Sequence, residues 1–139
     1  MPGFTVLDTI DEGDLAILEK GLRDNAVAHD ARPYTERLLS ITHRDENGKL
    51  LAGLTGKTFW NWLYIDVLWV ASELRGQGVG SALVEAAEAE ARRRGCHAAY
   101  LWTESFEDAD FYPRLGYKPF VVKEDFPTGH KRIGLMKKL

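Results

Sequence analysis

Apolar residues recur along the chain with two different spacings, and these spacings predict where helices and strands lie. In the N-terminal region they recur every three or four positions, as on one face of an α-helix. The positions are Leu15, Leu18, Leu22 and Ala26. Thr9 and Glu12 match a capping box, so we expect the helix to begin there, after a short strand over residues 4–7. Pro33 is expected to open a second, short helix.

From residue 38 the apolar spacing changes to two, which is typical of strands whose side chains alternate between two faces. Two such segments, residues 38–42 and 50–55, flank Asn47 and Gly48, a pair that favours a tight hairpin turn. Residues 60–70 are apolar on both faces. This pattern predicts a strand in the centre of a sheet.

The second half of the chain alternates between helices and strands. A helix follows a glycine-rich turn at residues 76–80 and ends near Arg94, just before Gly95. A strand over 98–103, a short helix over 107–115 and two strands over 117–122 and 132–136 complete the pattern. The predicted order is one strand, two helices, three strands, a helix, a strand, a helix and two strands.

The composition excludes several classes of protein. With 139 residues, of which 45% are hydrophobic and 28% charged, the chain is expected to form one soluble globular domain over residues 1–139. A net charge of -3 lacks the basic excess that nucleic-acid binding requires. The apolar stretches are much shorter than the roughly 20 residues of a membrane helix. We expect a cytoplasmic location, because no signal peptide is seen and Cys96 is a single cysteine.

The glycine-rich turn gives the most specific sign of a binding site. Its sequence is Arg75-Gly76-Gln77-Gly78-Val79-Gly80. Glycines allow the backbone to turn tightly, and the unpaired N–H groups of the following helix form an anion site that suits a pyrophosphate. The guanidinium of Arg75 would add a positive charge with several N–H donors, and Gln77 would add a further N–H donor.

Spacing argues against two other phosphate-binding motifs. A dinucleotide-binding Rossmann turn is disfavoured because five residues separate Val70 from Gly76 and Ser81 occupies the place of the last glycine. Gly56-Lys57-Thr58 imitates the end of a P-loop. Leu51, however, stands where that motif needs its first glycine, and a strand follows instead of a helix.

Residues 70–80 resemble the acyl-CoA motif, Arg/Gln-x-x-Gly-x-Gly/Ala, of the GNAT acetyltransferase superfamily, with Arg75, Gly78 and Gly80 at the fixed positions. Residues 111–117 are similar to the second signature of that family, a tyrosine followed by Leu-Gly-Phe/Tyr. The resemblance implies an α/β (α+β) GNAT fold, in which a mixed, mostly antiparallel central sheet is splayed in the middle and flanked by helices. It also implies acetyl-CoA as the co-substrate.

The resemblance further implies which residues bind acetyl-CoA. They are Leu68, Trp69, Val70, Arg75, Gly76, Gln77, Gly78, Val79, Gly80, Ser81 and Ser105. A backbone N–H near Trp69 or Val70 would stabilise the oxyanion. Ser105 stands where the family often has Asn. Arg114 is either an exposed helix residue or a contact to the 3′-phosphate of CoA.

Acyl transfer to an amine needs a group that accepts a proton and a group that donates one. Asp66 is the one charged residue between Lys57 and Glu73, and we predict that it is the base or binds the ammonium group. A purely structural Asp66, Glu104 as the base, and a water relay are the alternatives. Tyr112 matches the family's general-acid tyrosine, which would protonate the leaving thiolate.

The resemblance therefore implies an N-acetyltransferase in which an amine attacks acetyl-CoA directly, and no residue pattern suggests a metal. Several carboxylates are expected to ring the acceptor site and to favour a primary amine on a small cationic or polyamine-like molecule: Asp66, Glu104, Glu107, Asp108 and Asp110. The alternatives are a protein N-terminal or lysine acetyltransferase and a non-catalytic acyl-CoA-binding or sensory module. The expected partners are acetyl-CoA and the amine, with neither nucleic acid nor membrane; the oligomeric state is open, with a homodimer as one option.

Overall fold

Three helices and six strands follow one another in the structure, a computed structural model that describes residues 3–139. The elements are helix α1 (Glu12–Ala28), strands β1 (Arg37–Arg44), β2 (Leu50–Phe59) and β3 (Trp62–Val70), helix α2 (Val79–Arg93), strand β4 (Ala98–Glu104), helix α3 (Phe111–Arg114) and strands β5 (Lys118–Glu124) and β6 (Lys131–Lys138). A single 3-10 turn, Ser72–Leu74, lies between β3 and α2. None of the helices in residues 3–139 is both long and apolar enough to cross a membrane.

The described residues form two compact units, one ending at Thr35 and the other comprising Glu36–Leu139. The prediction of one domain over residues 1–139 stays a prediction, and residues 1 and 2 lie outside the described part. In the first unit, the side chain of Asp11 caps α1 by accepting a hydrogen bond from the Asp14 N–H at 3.1 Å. Within this unit α1 buries none of its residues, so the predicted apolar face of the helix is not packed into a core there.

Three predictions for the first unit are wrong. The capping box at Thr9 is replaced by Asp11, because a carboxylate directly before the first turn accepts from its N–H groups and suits the positive end of the helix dipole. Residues 4–7 do not form a strand, and no strand of the described chain pairs with them. No helix follows Pro33, since too few residues remain before β1 begins at Arg37.

All six strands of the second unit form one sheet, in the order β1-β2-β3-β4-β6-β5. Neighbouring strands are antiparallel except β3 and β4, which run parallel and are connected through α2. A parallel pair needs such a crossover, usually a helix. The mixed, mostly antiparallel sheet is confirmed, as is the internal position of the strand with two apolar faces.

The hairpin predicted at Asn47 and Gly48 is confirmed. Gly48 has a φ of +83°, and its N–H donates to the Asp45 carbonyl at 3.0 Å. The Asp45 carboxylate accepts a second hydrogen bond from the Asn47 N–H at 2.8 Å. Asp45 therefore closes the turn with both its backbone and its side chain.

The predicted start of the central strand is wrong, because Trp60 and Asn61 form a turn between β2 and β3. Both have positive φ values, +47° and +64°, which is the backbone of a two-residue type I′ hairpin. The Asn61 side chain donates to the Gly95 carbonyl at 3.1 Å, and the Asn61 carbonyl accepts from the His97 N–H at 3.0 Å. These bonds tie the turn to the end of α2.

The sheet opens between β3 and β4. Their pairing ends at Ile65 and Leu101, after which β3 remains paired only with β2 and β4 only with β6. Val67 pairs with Thr55 while Ile65 pairs with the next residue of β2, so Asp66 is the extra residue of a bulge. A bulge bends its strand and increases the local twist. The splay expected in the middle of the sheet therefore begins at Asp66.

The core of the second unit lies between α2 and one face of the sheet. The predicted apolar face of α2 is buried there, through Leu83, Val84, Ala87 and Ala91. Cys96 packs in the same core as a small apolar residue, and burial raises the pKa of its thiol.

One carboxylate, Glu88, is buried within this core at 3% exposure. Tyr117 donates to Glu88 Oε2 at 2.7 Å, and Lys137 Nζ lies 3.0 Å from both carboxylate oxygens. Burial, followed by the bond to Glu88, raises the pKa of Tyr117 well above its usual range, so the phenol remains a donor. The three side chains join α2 to the start of β5 and to β6.

Replacing Lys137 with Met should lower the free energy of unfolding by about 3 kcal/mol, because the buried charge of Glu88 loses its counter-ion. We place the loss at the lower end of the usual range because Tyr117 still donates to Glu88. Urea unfolding measures the effect. Lys138→Met, on the exposed neighbour, is the control and should change stability by less than about 0.5 kcal/mol. Equal stability of the two variants would contradict this role of Lys137.

Candidate active site

The opening between β3 and β4 forms a cavity of about 580 Å³. Its walls come from the splayed part of β3, the end of β4, the loop that follows and helix α3. The lining residues are Asp66, Val67, Leu68, Trp69, Val70, Arg75, Gly80, Trp102, Thr103, Glu104, Glu107, Asp108, Phe111 and Tyr112. The structure thus brings both predicted catalytic residues, Asp66 and Tyr112, into one cavity with part of the predicted acetyl-CoA site.

One wall of the cavity is the edge that β3 exposes after it leaves β4. The Ala71 N–H donates to the Leu51 carbonyl of β2 at 2.8 Å. Because backbone groups point to alternate sides along a strand, those of Trp69 also face β2, whereas those of Leu68 and Val70 face the cavity. An extended ligand with amide groups fits such an edge as an added strand. The alternation favours Val70 over Trp69 as the oxyanion donor.

The glycine-rich turn leads directly into the first turn of α2. Gly76 and Gly78 have φ values of +77° and +79°, and a Cβ built on either glycine meets no atom within 4 Å. The space above the turn is therefore open. The Ala82 N–H, bonded to the Gly78 carbonyl at 3.0 Å, is the first to find a partner inside the helix. Earlier N–H groups remain available to an anion, and the first turn of α2 contains no acidic residue.

Two side chains of the turn fold back onto the backbone. Arg75 Nε donates to the Val70 carbonyl at 3.2 Å, which holds the guanidinium at the cavity wall. Gln77 Nε2 donates to the Glu73 carbonyl at 3.1 Å, so this amide stiffens the turn. The contact of the Arg75 guanidinium with a pyrophosphate stays a prediction.

Gly80 allows α2 to pack closely against α3. A Cβ at this position would lie 3.2 Å from the Phe111 ring, which is tight for a carbon contact. Phe111 also packs at a right angle on Tyr112, with ring centroids 4.9 Å apart. No local pattern in the sequence assigns this packing role to Phe111, although it directly precedes Tyr112 in the second signature.

Tyr112 is half-buried at the wall formed by α3. Its ring packs on Tyr117, with centroids 5.7 Å apart. Burial, and next the negative charge of Glu107, raises the pKa of Tyr112 to about 12. The phenol therefore keeps its proton at neutral pH and acts as a hydrogen-bond donor.

Several carboxylates belong to the lining of the cavity. Four of the five predicted acidic residues line it, while Asp110 does not: Asp66, Glu104, Glu107 and Asp108. Arg114 lies 3.4 Å from Asp108 and Arg132 lies 3.7 Å from Glu104. Asp66 and Glu107 form no ion pair with any residue of the described chain.

The other predicted ligand residues lie outside the cavity wall. Gly76, Gln77, Gly78, Val79 and Ser81 form the adjoining turn and helix start. Ser105 faces β6, where its hydroxyl accepts from the Lys131 N–H at 2.8 Å and lies 3.5 Å from His130 Nδ1. Its contact with acetyl-CoA stays a prediction, as does that of Arg114.

Comparisons with known proteins agree with this arrangement. Residues 13–117 match the model of the Acetyltransferase (GNAT) family. Blasticidin-S acetyltransferase of Streptomyces morookaense is 41% identical over 95 residues, or 68% of this chain and 70% of that protein. Acetyltransferase Atu2258 of Agrobacterium fabrum is 38% identical over 117 residues, or 82% of each chain. An acetyltransferase structure from Bacillus cereus superposes with a TM-score of 0.86 at 27% identity, covering 97% of this chain and 98% of the other.

Replacing Gly78 with Ala should weaken acetyl-CoA binding about tenfold or more, because the Cβ projects into the space over the turn and disturbs donors to a charged ligand. Calorimetry measures the dissociation constant. Gly48→Ala is the matched control, since Gly48 has a φ of +83° and equally open surroundings. Both variants should lose about 1 kcal/mol of stability, but only the first should lose affinity. Equal affinities would contradict the assignment of this turn.

Proposed function

Because the chain belongs to the acetyltransferase (GNAT) family and is an acetyl-CoA-dependent enzyme, we propose that it acetylates the primary amine of a small, positively charged molecule. The relative from Streptomyces is named for blasticidin-S, a small-molecule acceptor, which supports a small acceptor here.

The charge of the cavity lining carries this proposal. Arg75 is held at the cavity wall at the start of the glycine-rich turn, where a diphosphate would bind. Four carboxylates from β3, β4 and the loop after β4 line the same cavity. Their field attracts ammonium groups and repels acidic acceptors.

Asp66 is the carboxylate best placed to receive the amine. It is the exposed bulge residue of β3, lines the cavity and has no cationic partner among the described residues. An alkylammonium has a pKa near 10.4 and must lose a proton before it can attack. We assign Asp66 to hold the ammonium and to take up its proton, directly or through water.

Acetyl-CoA supplies a thioester whose acetyl carbon accepts the amine and whose sulfur leaves. The Val70 N–H faces the cavity and is assigned to the oxygen that becomes negative. Tyr112 is assigned to the sulfur. A thiol has a pKa near 8.5, far below the value of about 12 for Tyr112, so the phenol stabilises the leaving thiolate mainly by donating a hydrogen bond. Cys96 is in the core, outside the cavity wall, and serves no covalent step.

Replacing Tyr112 with Phe should lower kcat by about 10² or more, while the dissociation constant of acetyl-CoA stays within twofold. Assays of CoA release measure kcat, and calorimetry measures the dissociation constant. In the wild-type enzyme, kcat should not fall between about pH 8 and pH 10, because Tyr112 titrates only near pH 12. If kcat of Tyr112→Phe stayed within twofold of the wild-type value, the Tyr112 hydroxyl would have no role in catalysis and the residue would serve only in packing.

Replacing Asp66 with Asn should lower kcat/KM for n-butylamine about 10²-fold near pH 7, and higher pH should partly restore it by supplying free amine. Asp110→Asn removes a nearby charge outside the cavity wall and should change kcat/KM less than threefold. The panel includes n-butylamine, spermidine, glutamate as an acidic acceptor and a lysine peptide. Better turnover of the acidic or peptide acceptors, or a wild-type pH profile for Asp66→Asn, would sink the proposal.

A further inference from the structure

The side chain of Trp69 lines the cavity on the face of the sheet that points away from α2. Its neighbours on the strand, Leu68 and Val70, pack against the core between α2 and the sheet. Because side chains alternate between the two faces along a strand, the indole projects from the opposite face. There 47% of Trp69 remains exposed. Acetyl transfer, as assigned above, does not use this indole.

Neither neighbouring strand places a side chain directly beside the indole. On β2 the residue paired with Trp69 is Gly53, which has no side chain, and on the other side β4 has already separated from β3. Among residues 3–139, no aromatic ring packs on Trp69 and no Lys or Arg lies over it. The face of the ring is therefore accessible to a ligand in the cavity.

The other tryptophan of the cavity lining, Trp102, is already covered by cations. The Arg132 guanidinium carbon lies 5.2 Å from the centroid of the Trp102 ring, and Lys123 Nζ lies 5.9 Å from it. Cations at such distances are attracted to the negative face of an aromatic ring. Of the two tryptophans in the lining, Trp69 is the one without such a partner in the described chain, so its face can attract a cation of the ligand.

The charge of the lining favours the same kind of ligand group. Asp66 and Glu107 belong to the lining and form no ion pair within the described chain, and Glu104 and Asp108 add two further carboxylates. Negative potential in a cleft raises the local concentration of cations. Among aromatic side chains Trp attracts cations best, and the attraction grows where water is partly excluded.

We propose that Trp69 is a specificity-determining residue of the acceptor site, whose indole face binds a second cationic group of the acceptor. The inference rests on the proposed function, which it deepens by making the acceptor a molecule with two basic groups. The reacting amine at Asp66 must lose its charge, whereas the second group keeps it. Asp66 and Trp69 line the same cavity from one strand, roughly 10 Å apart along it, and a short aliphatic chain can span the two positions.

Two amines of nearly equal shape test this contact: (4-aminobutyl)trimethylammonium and 5,5-dimethylhexylamine, in which a carbon replaces the quaternary nitrogen. The trimethylammonium group has no N–H donor, so it favours an aromatic face over a hydrogen bond to a carboxylate. Calorimetry in the presence of CoA gives the two dissociation constants. The wild-type enzyme should bind the cationic amine about tenfold more tightly than its neutral analogue.

Substitutions of two tryptophans locate the origin of this preference. Trp69→Leu keeps an apolar side chain but removes the π face, and should reduce the ratio of the two affinities about fivefold or more. Trp69→Phe, which keeps a smaller π face, should restore part of the ratio. Trp60→Leu is the matched control, because Trp60 is 48% exposed but lies outside the cavity wall, and it should leave the ratio within twofold of the wild-type value.

The two proposals fail in different ways. Equal affinity of the wild-type enzyme for the two amines, or a ratio that Trp69→Leu leaves within twofold, overturns the role of Trp69 even if both amines are acetylated. The carboxylates alone would then attract the cation. A ratio that depends on Trp69, together with no CoA release from acetyl-CoA with either amine, upholds the role of Trp69 and overturns the proposed function.

Discussion

The central strand of the sheet leaves one neighbour halfway along its length, and the active site depends on this separation. Up to Ile65, β3 is paired on both sides, which keeps the sheet continuous. Beyond it, the bulge at Asp66 turns the strand away from β4, and backbone groups of Leu68 and Val70 are left facing a cavity. The Val70 carbonyl accepts a hydrogen bond from Arg75 Nε, whereas the N–H groups of Leu68 and Val70 are left for another partner. The opening in the sheet is therefore an edge that an extended ligand chain fits.

The lining of the cavity combines groups of opposite charge that come from different elements. The N-terminus of α2, free of acidic residues in its first turn, is joined by Arg75. Carboxylates come from the bulge of β3, the end of β4 and the loop that follows. Positive and negative potential in the lining are therefore set by separate elements of the fold.

Local patterns predicted those parts of the structure that local physics determines. The apolar face of α2, the turn at Gly48 and the glycine-rich turn at residues 76–80 need only neighbouring residues, and all are present. The turn at Trp60 and Asn61 was missed because a bulky residue seldom adopts a positive φ, and it is held by Gly95 and His97, which are distant in sequence. Likewise, the contacts of Ser105 with β6 and the position of Arg132 beside Glu104 depend on strand pairing that no local pattern specifies.

Tyr112 links the core to the cavity. Helix α3 has only four residues, too few to be stable by itself, so its geometry is set by what it packs against. Phe111 packs on Gly80 of α2, the Tyr117 N–H donates to the Tyr112 carbonyl at 3.1 Å, and the Tyr117 ring lies against that of Tyr112. Tyr117 is in turn fixed by its bond to the buried Glu88. The ion pair between Glu88 of α2 and Lys137 therefore joins the elements of the core and, through Tyr117, helps to fix the Tyr112 phenol in the cavity wall.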